Sequence, residues 1–340
     1  MTGTLTFVVQ ASSPAVAMDL GNQRNNFSQW VPNNAQPGTI ISRLVMAYLL
    51  DNPIRQLAAS RTGPFIAAGE FEETVHIWDV CNRCFIRTLS TPLDFGGSRM
   101  AISTDGRACV TGSYADGAVV CYCVASGDEL WRRNEVEHPE NISFTPDDRR
   151  INLGSGQRVL SFDRMDGKTL SAERGVHRIV ESPWDNAVFL GGSKMKLVGT
   201  NGNAWLLSRI TFAELAVAFG QNTLCVSESG GPARCWDVGN GAEMWHRHEE
   251  GRHIVSLAYN AMEDIFFAID LEYEKTGMSR LLRIACRSGR TDVVAVINGG
   301  RDAAFCLGGS RLVTPDGSVF DTSTGALVGR LWASPQARGF

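Results

Sequence analysis

One pattern recurs along these 340 residues and limits what the chain can fold into more than any other feature. A short run of β-formers ends in an aromatic or apolar residue, a turn with glycine follows, and a second apolar strand comes next. The clearest copy of the first run is Thr74-Val75-His76-Ile77-Trp78-Asp79-Val80. Val120 to Val124 leads into Ser126-Gly127-Asp128-Glu129-Leu130-Trp131, and Val159 to Asp163 leads into Asp166-Gly167-Lys168-Thr169-Leu170. Trp205-Leu206-Leu207-Ser208 is a degraded copy. Ala233 to Val238 leads into Asn240 to Trp245, Leu282 to Cys286 into Ser288 to Arg290, and Ser318 to Asp321 into Thr324 to Leu327. With the aromatic position as marker, the copies fall at 78, 122, 162, 207, 236, 284 and 320, in steps of 44, 40, 45, 29, 48 and 36. The mean is near the roughly 40 to 45 residues that a four-stranded sheet module occupies. The 29-residue step near Phe219 is too short for a full module, so the fifth unit is expected to lack a strand or to carry a very tight connection.

A second marker runs in phase with the first. Ser103-Thr104-Asp105-Gly106, Thr145-Pro146-Asp147-Asp148 and Ser182-Pro183-Trp184-Asp185-Asn186 are tight turns, and Ser60-Arg61-Thr62-Gly63 is a weaker one. Serine or threonine opens the turn, proline presets φ, and Asp, Asn or Gly closes it. In the first copy, Pro64 to Gly69 is the expected second strand, Thr74 to Val80 the third and Cys84 to Leu89 the outer fourth.

Trp78-Asp79 and Trp236-Asp237, together with these turns, give a sequence that resembles the WD-repeat family over about residues 51 to 332. No copy carries that family's Gly-His dipeptide, and Cys123 and Ser208 stand where its aspartate would be. The resemblance is to a divergent member. It implies an all-β chain folded as a seven-bladed β-propeller of four-stranded antiparallel blades. The physics agrees: each module is too small to bury both faces of its sheet alone, so neighbouring sheets stack until the ring closes. Residues 43–333 are expected to form the propeller, residues 1–42 an arm or extra strand, and residues 334–340 a tail. Arg43 to Leu50 and Ala326 to Trp332 both look like outer strands competing for the last blade.

Composition narrows the function. Hydrophobic residues make up 44%, enough for a large core, and the net charge of −4 is the wrong sign for a duplex nucleic-acid binder. No apolar run approaches the roughly 18 residues that span a bilayer. The start has an apolar run only from Leu5 to Val9 with no positive charge before it, so export is not expected. Nine cysteines, an odd number at irregular spacing, fit reduced thiols in a cytoplasmic location.

Aligning the copies by the turn marker exposes a column at the start of each first strand: Arg55, Arg99, Asn141, Arg178, His253 and Arg301. In propellers that position opens on the face around the central channel, where WD-repeat proteins bind peptides. The resemblance implies a partner-binding rim, and its arginines suit an acidic or phosphorylated protein segment through bidentate charge-assisted hydrogen bonds. The plainer alternative is that these arginines lie over apolar surface or pair with Glu70, Asp116 and Glu228. Asp270 to Arg280 is a charged insertion, either a functional loop or a solvated one.

Cys81-Asn82-Arg83-Cys84 has metal-ligand spacing but lacks a second pair, so it reads as two thiols in a hairpin turn, and no metal is expected. His246 and His248 read as surface residues of an outer strand. The Gly-x-x-x-Trp ends at Gly127 to Trp131 and Gly241 to Trp245 raise one enzymatic alternative, because quinone-dependent dehydrogenases are propellers with similar repeats. No catalytic carboxylate set, Ser-His-Asp order or phosphate loop accompanies them. The expected function is a non-enzymatic scaffold subunit of a protein complex, with no cofactor. A propeller enzyme and a coat or transport subunit are the alternatives.

Overall fold

The computed structural model describes residues 6–9, 16–19, 48–49, 54, 56–70, 74–91, 99–114, 116–134, 136–184, 186–191, 194–199, 202–207, 216–228, 231–272, 278–298 and 303–333. Among them there is no helix, and so none that could cross a membrane. Seven antiparallel sheets of four strands follow one another in chain order, each strand pairing with the next. Blade 1 contains Gln56–Ala59, Phe65–Gly69, Thr74–Asp79 and Cys84–Ser90, and blade 2 Arg99–Ile102, Ala108–Gly112, Val119–Cys123 and Glu129–Arg133. Blade 3 contains Pro139–Phe144, Arg150–Ser155, Arg158–Asp163 and Thr169–Arg174, and blade 4 Arg178–Glu181, Ala187–Gly191, Lys194–Val198 and Ala204–Leu207. Blade 5 contains Ala216–Phe219, Thr223–Ser227, Ala233–Asp237 and Glu243–Arg247. Blade 6 contains Arg252–Asn260, Ile265–Glu272, Met278–Ala285 and Thr291–Asn298, and blade 7 Ala304–Cys306, Arg311–Val313, Ser318–Asp321 and Leu327–Arg330. First strands of adjacent blades touch, as in blades 1 and 2, 2 and 3, 5 and 6, and 7 and 1, so the first strands line the axis.

The fifth blade is complete, which corrects the expectation of a missing strand. The error lay one blade earlier. Trp205-Leu206-Leu207 belongs to the outer strand of blade 4, and the true marker there is Val198 on the third strand. Val198 lies 36 residues after Phe162 and 38 before Trp236, so the short step disappears. Sequence reading missed Val198 because it is neither aromatic nor followed by an acid.

Five residues after six of the markers, and four after Val198, the backbone turns left-handed: Arg83, Gly127, Gly167, Gly202, Gly241, Gly289 and Gly325 all have φ between 51° and 82°. In most seams this turn is also covered by a side chain from the previous blade's outer strand. A Cβ on Gly167 would lie 2.5 Å from Trp131, on Gly241 2.4 Å from Trp205, and on Gly289 2.8 Å from Trp245. The indole Nε1 of Trp131 donates to the Arg164 carbonyl at 2.8 Å, and that of Trp245 to the Cys286 carbonyl at 2.7 Å. Arg87 does the same work over Gly127, donating to the carbonyls of Ala125 and Ser126. The Gly-x-x-x-Trp ends are thus an inter-blade clasp, with the glycine in one blade's turn and the tryptophan reaching the next. Gly241→Val is expected to cost about 3 kcal/mol, because it forces a β-branched residue to positive φ and overlaps Trp205. Urea unfolding should show a lower midpoint at unchanged slope.

At the ring closure, Leu327–Arg330 is the outer strand of blade 7. Tyr48–Leu49 does not compete for that place; it pairs in parallel with Trp332–Ala333 beside the blade. The closing core joins Ile54, Ile66, Ala68, Trp78 and Val80 of the first repeat to Cys306, Val313, Val319, Leu331 and Trp332 of the last. Thr6–Val9 and Val16–Asp19 form an antiparallel pair in the stretch expected to be an arm. The expected tail, 334–340, lies outside the described residues.

Candidate functional site

First strands begin at one end of the channel, and the candidate column lies there. Arg55 and Arg301 lie outside the described residues. The remaining four do not share one level. Arg99 and Asn141 do: through Gly112 and Gly154 they align with Val119 and Val159, each three residues before its marker. In blade 4 that level belongs to Arg178, which aligns through Leu190 with Met195, three residues before Val198; His177 precedes it, and its N–H donates to the Leu190 carbonyl. In blade 6 the level belongs to Ser256, and His253 stands three residues beyond it on a longer strand. Arg99, Asn141 and Arg178 therefore share one level, and the column is corrected at His253; His177 stands at the mouth directly before Arg178.

Arg99 is exposed, and its guanidinium Nε donates to the Glu140 carbonyl of blade 3 at 2.7 Å. Asn141 faces blade 4 beside Gly154, where a Cβ would sit 2.1 Å from the His177 carbonyl oxygen. That close approach is why the second strand of blade 3 carries a glycine there. Burial lowers the pKa of half-buried Arg178. Burial also pushes the His177 imidazole below the ordinary histidine value, with Glu140 opposing and Arg178 assisting. His177 is thus a neutral hydrogen-bonding group near pH 7. On the same face, Arg158 and Arg174 sit directly opposite each other across the outer two strands of blade 3. Of the carboxylates offered as partners for the arginines, Glu70 accepts from Thr74 and meets His76 at 3.3 Å, while Asp116 accepts from Ser113.

The described ends of the charged insertion, 270–272 and 278–280, are strand, and 273–277 lie outside the described residues. The insertion prolongs the middle hairpin of blade 6, giving strands of eight residues, Ile265–Glu272 and Met278–Ala285. Its base is an alternating ionic chain. Arg252 Nε reaches Asp270 Oδ1 at 2.8 Å and its Nη1 reaches Glu272 at 3.0 Å. Arg280 bridges Asp270 to Glu249 at 2.8 Å, and Arg247 also reaches Glu249 at 2.8 Å. Burial alone would raise the Asp270 carboxyl, but hydrogen bonds from Arg280 and then Arg252 hold it below the ordinary carboxylate range. Above this chain lies an open cleft of about 430 Å³ lined by Glu249, Glu250, Gly251, Arg252 and Glu272. The channel mouth is thus polarised, cationic along blades 2 to 4 and carboxylate-rich at blade 6.

Cys81 and Cys84 are exposed in a hairpin turn. Among the described residues no group of three or more His, Cys, Asp or Glu side chains is placed to hold a metal. His246 is exposed beside Glu243 at 3.1 Å, and His248 is exposed. The hydroxyl–imidazole–carboxylate contact of Thr88, His76 and Glu70 lies in blade 1, running from the outer strand to Glu70 at the mouth end beside Gly69.

No family model matches the chain, and no curated protein matches its sequence. Solved structures do match. One described as RRP9 WD40 repeats shares 15% identity at a TM-score of 0.60, covering 84% of this chain and 91% of that one. One described as U3-55K shares 16% identity at a TM-score of 0.58, covering 85% of this chain and 94% of that one. At such identities the likeness is one of fold: the seven sheets follow the WD40 arrangement without its sequence.

Proposed function

We propose, from the premise of a seven-bladed WD40-type propeller, that the chain is a non-catalytic interaction platform of the cytoplasm. It would be one subunit of a larger assembly, and its rim would capture an acidic or phosphorylated segment of a protein partner. The observation that supports this reading is the cationic sector of the mouth. Arg99 and Arg178, with Asn141 and His177 between them, open the first strands of three successive blades. Arg158 and Arg174 lie beside them as directly opposed like charges, an arrangement that an anion between them relieves. The carboxylates at blade 6 favour a segment with a basic residue at its far end. Nine unpaired thiols support a reducing location. Fold by itself decides no function, so the test is on the residues.

The test is capture from a lysate of the source cell, followed by affinity measurement with each purified partner. Arg99→Glu, at an exposed position, is expected to weaken capture at least about tenfold, or 1.4 kcal/mol. Arg99→Glu with Arg178→Glu is expected to abolish it, with urea unfolding as the check that the ring still forms. Unchanged affinity in the folded double variant would sink the rim reading. A partner whose binding survives raised salt unchanged would also count against it.

A further inference from the structure

Six apolar clusters hold the blades together, and each bridges a different seam: 7 to 1, 1 to 2, 2 to 3, 4 to 5, 5 to 6 and 6 to 7. Among the described residues the seam between blades 3 and 4 has no such cluster. We infer that this seam is the built-in opening line of the ring, where the propeller parts before any blade unfolds.

The difference is visible row by row. Across blade 2, the side chains facing blade 3 run Ala101, Val110, Cys121, Trp131. Across blade 5, those facing blade 6 run Ala218, Cys225, Cys235, Trp245. The same row of blade 3, facing blade 4, runs Ser143, Asn152, Ser161, Ser171. Ser171 stands where the other two rows carry the clasping tryptophan. Correspondingly, Gly202 in the turn of blade 4 has nothing within 4 Å of its Cβ position, whereas Gly167 and Gly289 are covered by Trp131 and Trp245. The outer strand Thr169–Arg174 is exposed along its whole length. On the facing wall, Ile179, Phe189, Lys196 and Leu206 form a row that opens outward, with Leu206 68% exposed.

What crosses the seam is polar. Ser161 donates to Asn152 Oδ1 at 2.7 Å, and Asn152 Nδ2 donates to Glu181 of blade 4 at 3.2 Å. Arg150, exposed, reaches the same carboxylate at 3.2 Å. Buried apolar contact comes down to Val159 and Ile179. Hydrogen bonds to groups that water can replace, and an exposed ion pair, oppose separation far less than a packed indole. Each blade keeps its own backbone ladder, so the seam can part with the sheets intact.

The chain supplies the reporters. Cys121 and Cys235 are buried thiols in seams 2 to 3 and 5 to 6, and Ser161 occupies the corresponding place in seam 3 to 4. Ser161→Cys is a near-isosteric change that puts a third thiol in register with them. The experiment follows modification by N-ethylmaleimide under native conditions, peptide by peptide, each rate normalised to that of the same peptide in denaturant. The introduced thiol is expected to react at least tenfold faster than Cys121 and Cys235 in the same molecules. Adding Ser171→Trp, which restores the missing clasp at an exposed position, is expected to slow it at least tenfold. A rate equal to those of Cys121 and Cys235, or one that Ser171→Trp leaves unchanged, overturns the inference. The second variant separates opening of the natural seam from any loosening caused by losing the Ser161 to Asn152 bond.

Discussion

Trp332→Ala is expected to lower the unfolding free energy by about 3 to 5 kcal/mol, the range for removing a buried tryptophan from a packed core. Trp332 is fully buried. Its ring lies 5.5 Å from that of Trp78 in blade 1, and its Nε1 donates to the Pro315 carbonyl at 3.0 Å. A Cβ on Gly317 would stand 2.5 Å from the Trp332 carbonyl, so the turn of blade 7 is moulded around this residue. The position matters more than the volume. Stacked modules are held by nearest-neighbour interfaces, and the contact that closes a ring adds an interface without adding a module to order. Blade 7 is completed by its own fourth strand rather than by an N-terminal one, so apolar packing supplies the closure. Equilibrium urea unfolding is the measurement, and a loss below about 1 kcal/mol would mean that closure rests elsewhere.

Why the ring was legible from the sequence, and the mouth less so, follows from what each depends on. The blades depend on a local grammar: a marker, a left-handed residue four or five positions on, and a turn opened by Ser or Thr. Ser103, Thr145 and Ser182 each hold their turn through hydroxyl bonds a few residues away, which leave a short-range trace. Blade 4 escaped that reading because its marker is Val198, its turn is one residue shorter and its third strand begins with lysine. The copies were then counted correctly with one of them misplaced. The clasp was half legible. Gly127 to Trp131 and Gly241 to Trp245 stood out as a spacing, yet the partner of each tryptophan lies in the next repeat, which no spacing within a repeat can show.

The mouth depends on level, and level is set by strand length and bulges. A one-residue slip turns a side chain to the other face of its sheet. That slip separates His177 from Arg178, which faces blade 5 at the level of Arg99 and Asn141. In blade 6 an irregularity between Ile254 and Ser256 and three extra pairs of the ladder lift His253 clear of the level. The acidic half of the mouth was hidden for a different reason. Glu249 and Glu250 come from the connection between blades 5 and 6 and Glu272 from the middle hairpin of blade 6, and they meet only when blade 6 outgrows its neighbours.

Asp270→Asn is expected to cost about 3 kcal/mol at pH 7, the lower end for removing one partner from a buried ion pair. Asp270 is 2% exposed and accepts from both Arg252 and Arg280. The lower figure applies because each arginine keeps a second acid, Glu272 for Arg252 and Glu249 for Arg280. The pH dependence gives the sharper check. The folded Asp270 pKa is depressed below its unfolded value of about 3.9. Its contribution is therefore fully present above that value and is lost as the pH falls through the lower folded one. A protonated Asp270 resembles the asparagine that replaces it, so the two proteins should differ at pH 7 and converge as the pH falls through the lowered folded value. Glu249, also held low by Arg280, titrates in both and cancels in the difference. Urea midpoints at pH 7 and in acid decide the matter. A gap that stays the same size from pH 7 to acid would show that the amide perturbs packing, and that the ionic chain is not what stiffens the tall hairpin of blade 6 beneath its cleft.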